Sequence, residues 1–181
     1  MIPVFLGLGS NREYEGRSCI QLLARAVKAL SKFMANSEIS SVYRTAPMYV
    51  TEQDYFYNMV MAGVVSDSMT PHQLLDEIHE IEASLGRNRE NEIRNGPRSI
   101  DIDIEYFGDF IINDDDLVIP HPRIKERAFV LVPMLEIFPK CAESLKGRNI
   151  RGAAQAVIMK DDPDIEMYMP VSEFFLNIGR D

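Results

Sequence analysis

Three carboxylate side chains alternate with isoleucines in the run Arg98-Ser99-Ile100-Asp101-Ile102-Asp103-Ile104-Glu105. Because successive side chains of a β-strand point to opposite faces, the pattern predicts isoleucines on one face and Asp101, Asp103 and Glu105 on the other. The plain alternative is an amphipathic strand with a solvated acidic face. Carboxylates two residues apart on a strand lie about 7 Å apart and repel by about 2 kcal/mol at an effective dielectric constant of 20. The sequence therefore predicts that a divalent cation relieves this repulsion, and that removing Asp101 or Asp103 leaves the melting temperature of the ligand-free protein unchanged or higher.

Basic residues flank this strand and would complement a magnesium-nucleotide site. Mg²⁺ prefers one or two carboxylates with phosphate oxygens and waters, and guanidinium groups bind phosphate oxygens in pairs. The basic residues fall in two short segments: Arg87, Arg89, Arg94 and Arg98 in the first, and His121, Arg123, Lys125 and Arg127 in the second. The net charge of -9 argues against a nucleic-acid partner. Two compact basic clusters in an acidic chain indicate a compact anion such as a nucleoside triphosphate.

Other motifs carry less chemistry. Gly7-Leu8-Gly9-Ser10-Asn11-Arg12 has an arginine where a dinucleotide-binding fingerprint needs its third glycine. We therefore interpret Gly7 and Gly9 as a turn at a strand end with a supporting role. No Gly-x-x-x-x-Gly-Lys-Ser/Thr loop occurs, which excludes a P-loop kinase. His72 and His79 fall on a predicted helix and carry no functional signal, whereas His121 lies between two prolines in the second basic segment.

Hydrophobic periodicity predicts an α+β domain. Apolar residues spaced by three and four predict a helix over about residues 20–34. A second helix is predicted to begin after Thr70, with Gln73 completing a capping box, and to stop at Gly86. Strands are predicted at about residues 2–8, 38–44, 58–66 and 99–107. This β-α-β order, occurring twice, predicts a ferredoxin-like sandwich with two helices on one face of an antiparallel sheet. A doubly wound parallel sheet is the weaker alternative.

The remaining segments are predicted to be loops. Residues 45–57 and 86–98 have no apolar period, and loops of that length are uncommon without a function. Residues 113–128 are predicted to form an irregular connection, and residues 140–181 a short helix near 150–160 followed by a loose tail.

Size and composition fit a single domain over residues 1–181, with no linker or low-complexity segment. Cys19 and Cys141 are isolated, so neither a disulfide framework nor a zinc site is expected. The chain has no basic segment before its first apolar run and no apolar run of about 18 residues, so neither secretion nor a membrane span is expected. These features together predict a cytoplasmic protein.

A family resemblance becomes specific at Gly96-Pro97-Arg98-Ser99-Ile100-Asp101-Ile102-Asp103-Ile104, which is similar to the signature of the 6-hydroxymethyl-7,8-dihydropterin pyrophosphokinases. Further segments resemble that family in the same order: Gly7-Leu8-Gly9-Ser10-Asn11, Tyr43-Arg44-Thr45-Ala46-Pro47, Phe56-Tyr57-Asn58, Pro120-His121-Pro122-Arg123 and Arg127-Ala128-Phe129. The resemblance covers about residues 2–140.

The resemblance implies a ferredoxin-like fold with long catalytic loops and transfer of diphosphate from MgATP to 6-hydroxymethyl-7,8-dihydropterin, a step of folate biosynthesis. It implies two Mg²⁺ ions per site bridged by Asp101 and Asp103, which together with Arg89 and Arg98 would be catalytic. The nucleotide would be held by Glu82, Arg89, Arg98, Ile104, His121 and Arg127. The pterin would be bound by Thr45, Pro47, Met48, Phe56, Asn58 and Phe129, with Tyr55 as a substitute for Phe56.

The sequence departs from the family pattern at three places. Asn95 stands where some relatives carry a tryptophan, Asp116 stands where some carry an arginine near the nucleotide, and the loop 86–98 is one residue longer than in some relatives. A non-catalytic ferredoxin-like nucleotide-binding regulator is the alternative function. A monomer or weak dimer is expected, with ATP and the pterin as its partners and neither nucleic acid nor membrane.

Overall fold

The computed structural model describes the chain except for residues 49, 90–92, 94–95, 142–149, 162–163 and 179–181. Its strands are β1 (Ile2–Ser10), β2 (Ala35–Ile39), β3 (Val42–Thr45), β4 (Phe56–Val65), β5 (Asp101–Phe107), β6 (Ile112–Asn113), β7 (Val118–Ile119) and β8 (Ile165–Met169). Its helices are α1 (Cys19–Leu30), α2 (Pro71–Ser84), α3 (Ala128–Cys141), α4 (Ile150–Asp161) and α5 (Val171–Ile178), with a 3-10 turn at Ile124–Glu126.

The main sheet has six strands in the order β5-β1-β4-β3-β8, with β2 also paired to β4. All its pairings are antiparallel, which confirms the predicted α+β sheet and excludes the parallel alternative. Gly9 lies opposite Asp101 on β5 and opposite Asn58 on β4. Because residues directly opposite each other share a face, this register places the β5 carboxylates beside the glycines of β1 and Asn58.

The two predicted helices, α1 and α2, lie on one face of the sheet as expected, and α3, which the sequence patterns did not predict, covers the other face. On one face, α1 and α2 enclose a core that contains Leu6 and Leu8 of β1 and Ile102 and Ile104 of β5. On the other face, α3 packs on Phe5 and its neighbours through buried residues, which are Val130, Leu131, Met134 and Ile137. Alternation along β1 and β5 explains the two cores, because each strand sends consecutive side chains to opposite sides.

The second helix begins and ends as predicted. Thr70 Oγ1 accepts the Gln73 N–H at 3.2 Å, and Gln73 Oε1 accepts the Thr70 N–H at 2.9 Å, which completes a capping box. Gly86 follows the helix with φ +88°, and a Cβ atom there would lie 2.3 Å from the Tyr14 ring. Only glycine fits this left-handed, closely packed position, so the chain turns there toward Arg87 and β5.

Two predictions were wrong. Gly7 and Gly9 lie inside β1 and not in a turn; their missing side chains leave room for groups of the neighbouring strands. The tail after α4 is not loose throughout, because β8 adds a strand to the sheet next to β3 and α5 packs on the α1 face through the fully buried Phe174.

Candidate active site

The β5 carboxylates line an open cavity of about 670 Å³ on the α3 face of the sheet, together with Gly7 and Gly9. The predicted alternation is confirmed, since Ile102 and Ile104 are buried in the opposite core. The face is not a simple solvated acidic surface: the side chains of Asp101 and Asp103 are 26% and 34% exposed, and Glu105 is fully buried.

Arginine side chains pair with the carboxylates of Asp101 and Asp103. Asp101 accepts hydrogen bonds from Arg87 at 2.5 Å and Arg98 at 2.7 Å, and Asp103 accepts one from Arg127 at 2.6 Å. Burial alone would raise the pKa of Asp101, but Arg87 and Arg98 outweigh it and lower that pKa below its usual value. Asp101 and Asp103 each have a cationic partner, so we expect pairing with arginines, rather than repulsion between the carboxylates, to dominate the ligand-free site.

Glu105 is the group that sequence reasoning did not single out. The β1–β5 register pairs Leu6 with Ile104 and Phe5 with Tyr106, so Glu105 is the extra residue of a β-bulge. Neither of its carboxylate oxygens has a hydrogen-bond partner among the described residues, and Arg127 Nη1 lies 3.8 Å from Oε1. A Cβ atom at Gly7 would lie 2.9 Å from the same oxygen. Burial, reinforced by the charge of Asp103, raises the pKa of Glu105 to about 8.

Glu82 lies behind the carboxylate strand, where it connects α2 to β5. Its buried side chain accepts the Ile102 N–H at 2.8 Å and pairs with Arg87 and Arg89. Burial raises the pKa of Glu82 to about 7. Glu82 and Arg89 line a second cavity with His79 rather than the cavity of Asp101 and Asp103. Arg87 joins the two, since it lines the second cavity and donates to Asp101.

The loop before β5 is fixed by Asn11. The Asn11 side chain accepts the Arg98 N–H at 2.8 Å, and the backbone N–H groups of Asn11 and Arg12 donate to the Arg98 carbonyl at 3.1 Å. The segment after β1 therefore has the supporting role predicted for it, because its hydrogen bonds fix the backbone of Arg98. Arg94 and Asn95, named in the sequence analysis, lie outside the described residues, so the expected function of the loop 86–98 stays a prediction.

His121 is held as a neutral imidazole. Its Nδ1 accepts the Arg123 N–H at 3.1 Å, and its backbone N–H donates to the Glu105 carbonyl at 3.1 Å. Burial and the nearby Arg127 charge lower the pKa of His121 to about 4. The neutral ring therefore carries its proton on Nε2, where it can donate a hydrogen bond. Asp116 is exposed, with a carboxylate oxygen 3.7 Å from His72 Nε2.

Aromatic rings and an amide side chain also line the main cavity. Thr45, Met48, Phe56, Asn58 and Phe129 all contribute to it. Asn58 Nδ2 donates to Thr45 Oγ1 at 2.7 Å, and a Cβ atom at Gly9 would lie 2.7 Å from Asn58 Oδ1. The amide is thus oriented by Thr45, with its oxygen in the space left by the glycine.

Two residues named for pterin binding, Pro47 and Tyr55, are not among the residues that line the cavity. Pro47 is partly exposed and does not line the cavity, although its neighbours on both sides do. Tyr55, expected as a substitute for Phe56, instead packs under the Arg44 guanidinium at 3.9 Å from the ring centroid.

The fold and this cavity define an α+β domain in which carboxylates and arginines share one cavity with two phenylalanines and an amide side chain. The 7,8-dihydro-6-hydroxymethylpterin-pyrophosphokinase family model matches residues 5–139. The chain belongs to that family, and the resemblance inferred from its motifs is confirmed.

Individual relatives support the same family assignment. The chain is 41% identical over 155 residues to the 2-amino-4-hydroxy-6-hydroxymethyldihydropteridine pyrophosphokinase of Methylorubrum extorquens, covering 84% of this chain and 92% of that protein. It is 38% identical over 168 residues to a folic acid synthesis protein of Pneumocystis carinii, covering 92% of this chain and 21% of that protein. The chain thus spans about a fifth of that longer relative.

Solved structures show the same fold. A crystal structure of Plasmodium falciparum HPPK-DHPS aligns with a TM-score of 0.67 at 17% identity, covering 89% of this chain and 46% of that one. A second HPPK-DHPS structure, described as in complex with substrates, aligns with a TM-score of 0.63 at 16% identity over 87% of this chain. Within the described part of the chain, no helix is both long and apolar enough to cross a membrane.

Proposed function

We propose that this chain transfers a diphosphate group from MgATP to the hydroxymethyl group of 6-hydroxymethyl-7,8-dihydropterin, a step of folate biosynthesis. The observation that carries the proposal is the composition of one cavity, which joins Asp101, Asp103, Arg98 and Arg127 to Phe56, Asn58 and Phe129. A single cavity of this kind brings a phosphate-rich ligand and a flat heterocycle into contact. The name of the Methylorubrum extorquens relative, matched over 92% of its length, supports the same activity.

The donor set of the site fits magnesium. Asp101 and Asp103 offer carboxylate oxygens on one face of β5, and both side chains are partly exposed to the cavity. Their present partners are arginines, which can transfer to phosphate oxygens. We propose that two Mg²⁺ ions bind at Asp101 and Asp103 with the nucleotide, where they would neutralise phosphate charge and lower the pKa of the attacking hydroxyl.

The basic residues hold the triphosphate in this proposal. Arg98 and Arg127 release Asp101 and Asp103 and bind phosphate oxygens, while the neutral His121 donates from Nε2. Glu82 and Arg89 act at the second cavity, which Arg87 connects to the first, and Ile104 belongs to the strand that supports the nucleotide. Preorganised cations of this kind stabilise the charge that develops on the transferring group.

The reaction forms a bond between the hydroxymethyl oxygen and the β-phosphorus of ATP. The bond from that phosphorus to the oxygen bridging the α-phosphate breaks, so that AMP leaves with this oxygen. The hydroxyl proton is released, and the pterin keeps the β- and γ-phosphates. The protein contributes position and charge neutralisation, because the residues of the site hold both reactants and supply no covalent intermediate.

The pterin binds at the aromatic end of the cavity. Phe56 and Phe129 cover its ring faces, and Asn58 Oδ1, oriented by Thr45, accepts from the donor groups of the pterin edge. Backbone groups of Thr45, Pro47 and Met48 complete the edge contacts. ATP and the pterin are the proposed partners of a cytoplasmic monomer or weak dimer, and the family comparisons do not favour the regulator alternative.

Product analysis tests the proposal. The purified chain is incubated with MgATP with and without the reduced pterin, and the nucleotides are separated by chromatography. Pterin-dependent formation of AMP is expected. Asp103→Asn should abolish most turnover, whereas Glu77→Gln, at an exposed site on α2, should not change it. ADP as the pterin-dependent product, or nucleotide binding without any turnover, would contradict the proposed activity.

A further inference from the structure

The C-terminal strand β8 lies beyond the residues matched by the family model, which end at 139. It pairs antiparallel with β3, with Thr45 opposite Ile165 and Arg44 opposite Glu166. In its absence β3, a strand of four residues, would form that edge of the sheet. The strand that supplies Thr45 to the cavity is therefore held between β4 and β8.

Asp164, immediately before β8, contacts both ends of the loop between β3 and β4. Its backbone carbonyl accepts the Ala46 N–H at 3.2 Å, where the chain leaves β3. Its carboxylate accepts the Tyr55 hydroxyl at 2.9 Å, immediately before the chain enters β4. One residue thus closes the loop 46–55, whose cavity-lining members include Ala46 and Met48.

A second set of contacts reinforces this closure. Arg44 pairs with Glu166 of β8 at 2.9 Å and lies over the Tyr55 ring at 3.9 Å. The Tyr57 and Tyr168 rings meet edge to face with centroids 4.7 Å apart. Each contact is near the surface and weak by itself. The Glu166 and Tyr168 contacts join β8 to β3 and β4, and the Arg44–Tyr55 contact joins β3 to the end of the same loop.

We propose that β8, with Asp164, is a positioning element that holds the two ends of the loop between β3 and β4, at Ala46 and Tyr55, in the arrangement that binds the pterin. This inference rests on the proposed function, since it assigns the pterin to the end of the cavity formed by this loop. The physical reason is entropic: a loop whose ends are already fixed loses less conformational freedom when a ligand binds. Among the described residues, the hydrogen bonds of Asp164 reach Ala46 and Tyr55 and none of the residues proposed to hold the nucleotide, so the closure leaves nucleotide binding unchanged in this proposal.

Titration calorimetry on full-length variants tests the positioning role. In Asp164→Ala, affinity for the reduced pterin should fall about three- to tenfold, as expected for losing one exposed hydrogen bond, while affinity for MgATP stays unchanged. Asp164→Asn retains an oxygen that can accept from Tyr55 and should restore the pterin affinity. Glu173→Ala is the matched control, because it removes an exposed carboxylate from the same C-terminal segment and should change neither affinity.

Hydrogen exchange of the unmodified protein gives a second, independent measurement. By linkage, if the ordered β8 favours pterin binding, pterin binding must favour the ordered β8. Exchange of the Ile165–Met169 amides should therefore slow when the pterin binds and not when MgATP alone binds. Unchanged exchange with bound pterin, or equal losses of pterin and MgATP affinity in Asp164→Ala, would overturn the inference while leaving the proposed function intact. Failure of the unmodified protein to bind the pterin would overturn both.

Discussion

Replacing Asp101 with alanine should destabilise the ligand-free protein. Asp101 accepts charged hydrogen bonds from Arg87 at 2.5 Å and Arg98 at 2.7 Å, with its side chain 26% exposed. Hydrogen bonds to charged groups contribute about 1.5 to 3 kcal/mol, and leaving one member of a buried ion pair unpaired costs about 3 to 5 kcal/mol. Because water screens the partly exposed carboxylate, we expect a loss of about 1 to 3 kcal/mol.

A loss of stability of this size can be measured as a shift in melting temperature. For a domain of this size, each kcal/mol lowers the melting temperature by about 2 to 4 °C, so a loss of about 1 to 3 kcal/mol should make Asp101→Ala melt about 2 to 12 °C below the unmodified protein. Asp101→Asn keeps one acceptor oxygen and should lie between them. Glu77→Ala, at an exposed site on α2, is the matched control and should not differ from the unmodified protein.

Added MgATP separates the structural role of Asp101 from its ligand role. The unmodified protein should gain melting temperature with MgATP by mass action, and Asp101→Ala should gain less because a proposed metal ligand is missing. A ligand-free Asp101→Ala protein that melts at or above the unmodified one would refute the reasoning. Carboxylate repulsion, not pairing with arginines, would then dominate the site.

Three further outcomes are expected. Burial raises the pKa of Glu105 to about 8, above its unfolded value, so its contribution to the unfolding free energy is full below about pH 4.5 and is lost as the pH rises through 8. Glu105→Gln should remove this fall in denaturant titrations at a series of pH values. Burial lowers the pKa of His121 to about 4, so the unfolding free energy should drop as the pH falls from about 6.5 toward 4, and this drop should be missing in His121→Gln. Phe56→Ala or Phe129→Ala should weaken pterin binding by about 1 to 3 kcal/mol, by analogy with base stacking, and leave the affinity for MgATP close to normal. If calorimetry shows equal losses of affinity for both ligands, the pterin does not bind between these two rings.

Strand periodicity predicted the carboxylate face of β5 because it is a local property. The alternation from Asp101 to Glu105 places the carboxylates on one face whatever the sheet order. What it could not predict is the environment of that face, since the partners Arg87 and Arg127 come from separate segments of the chain. The bulge at Glu105 depends on the register with β1, which no local pattern specifies.

The missed elements have identifiable causes. Helix α3 contains Pro133 and Pro139, which weigh against a helix by propensity, yet its buried residues Val130 and Met134 pack on the sheet. β8 is a short edge strand with mostly exposed side chains, so its apolar alternation is weak. In both cases tertiary packing, which is absent from a local window of sequence, decides the structure.

The glycines of β1 illustrate the same limit. Gly7 and Gly9 were interpreted as a turn because glycine favours turns, but both lie in a paired strand. Their role is to leave space, for Glu105 at one position and Asn58 at the other. Only the register of three strands shows why a side chain is missing there.

The most direct test of the central claim follows the β-phosphorus of ATP in a single turnover. The chain is mixed in excess with ATP labelled at that phosphorus, Mg²⁺ and the reduced pterin, and the products are separated and counted. Diphosphate transfer predicts that the label appears in the pterin product at the rate at which unlabelled AMP forms. Label that remains in the nucleotide while the pterin is phosphorylated would contradict diphosphate transfer.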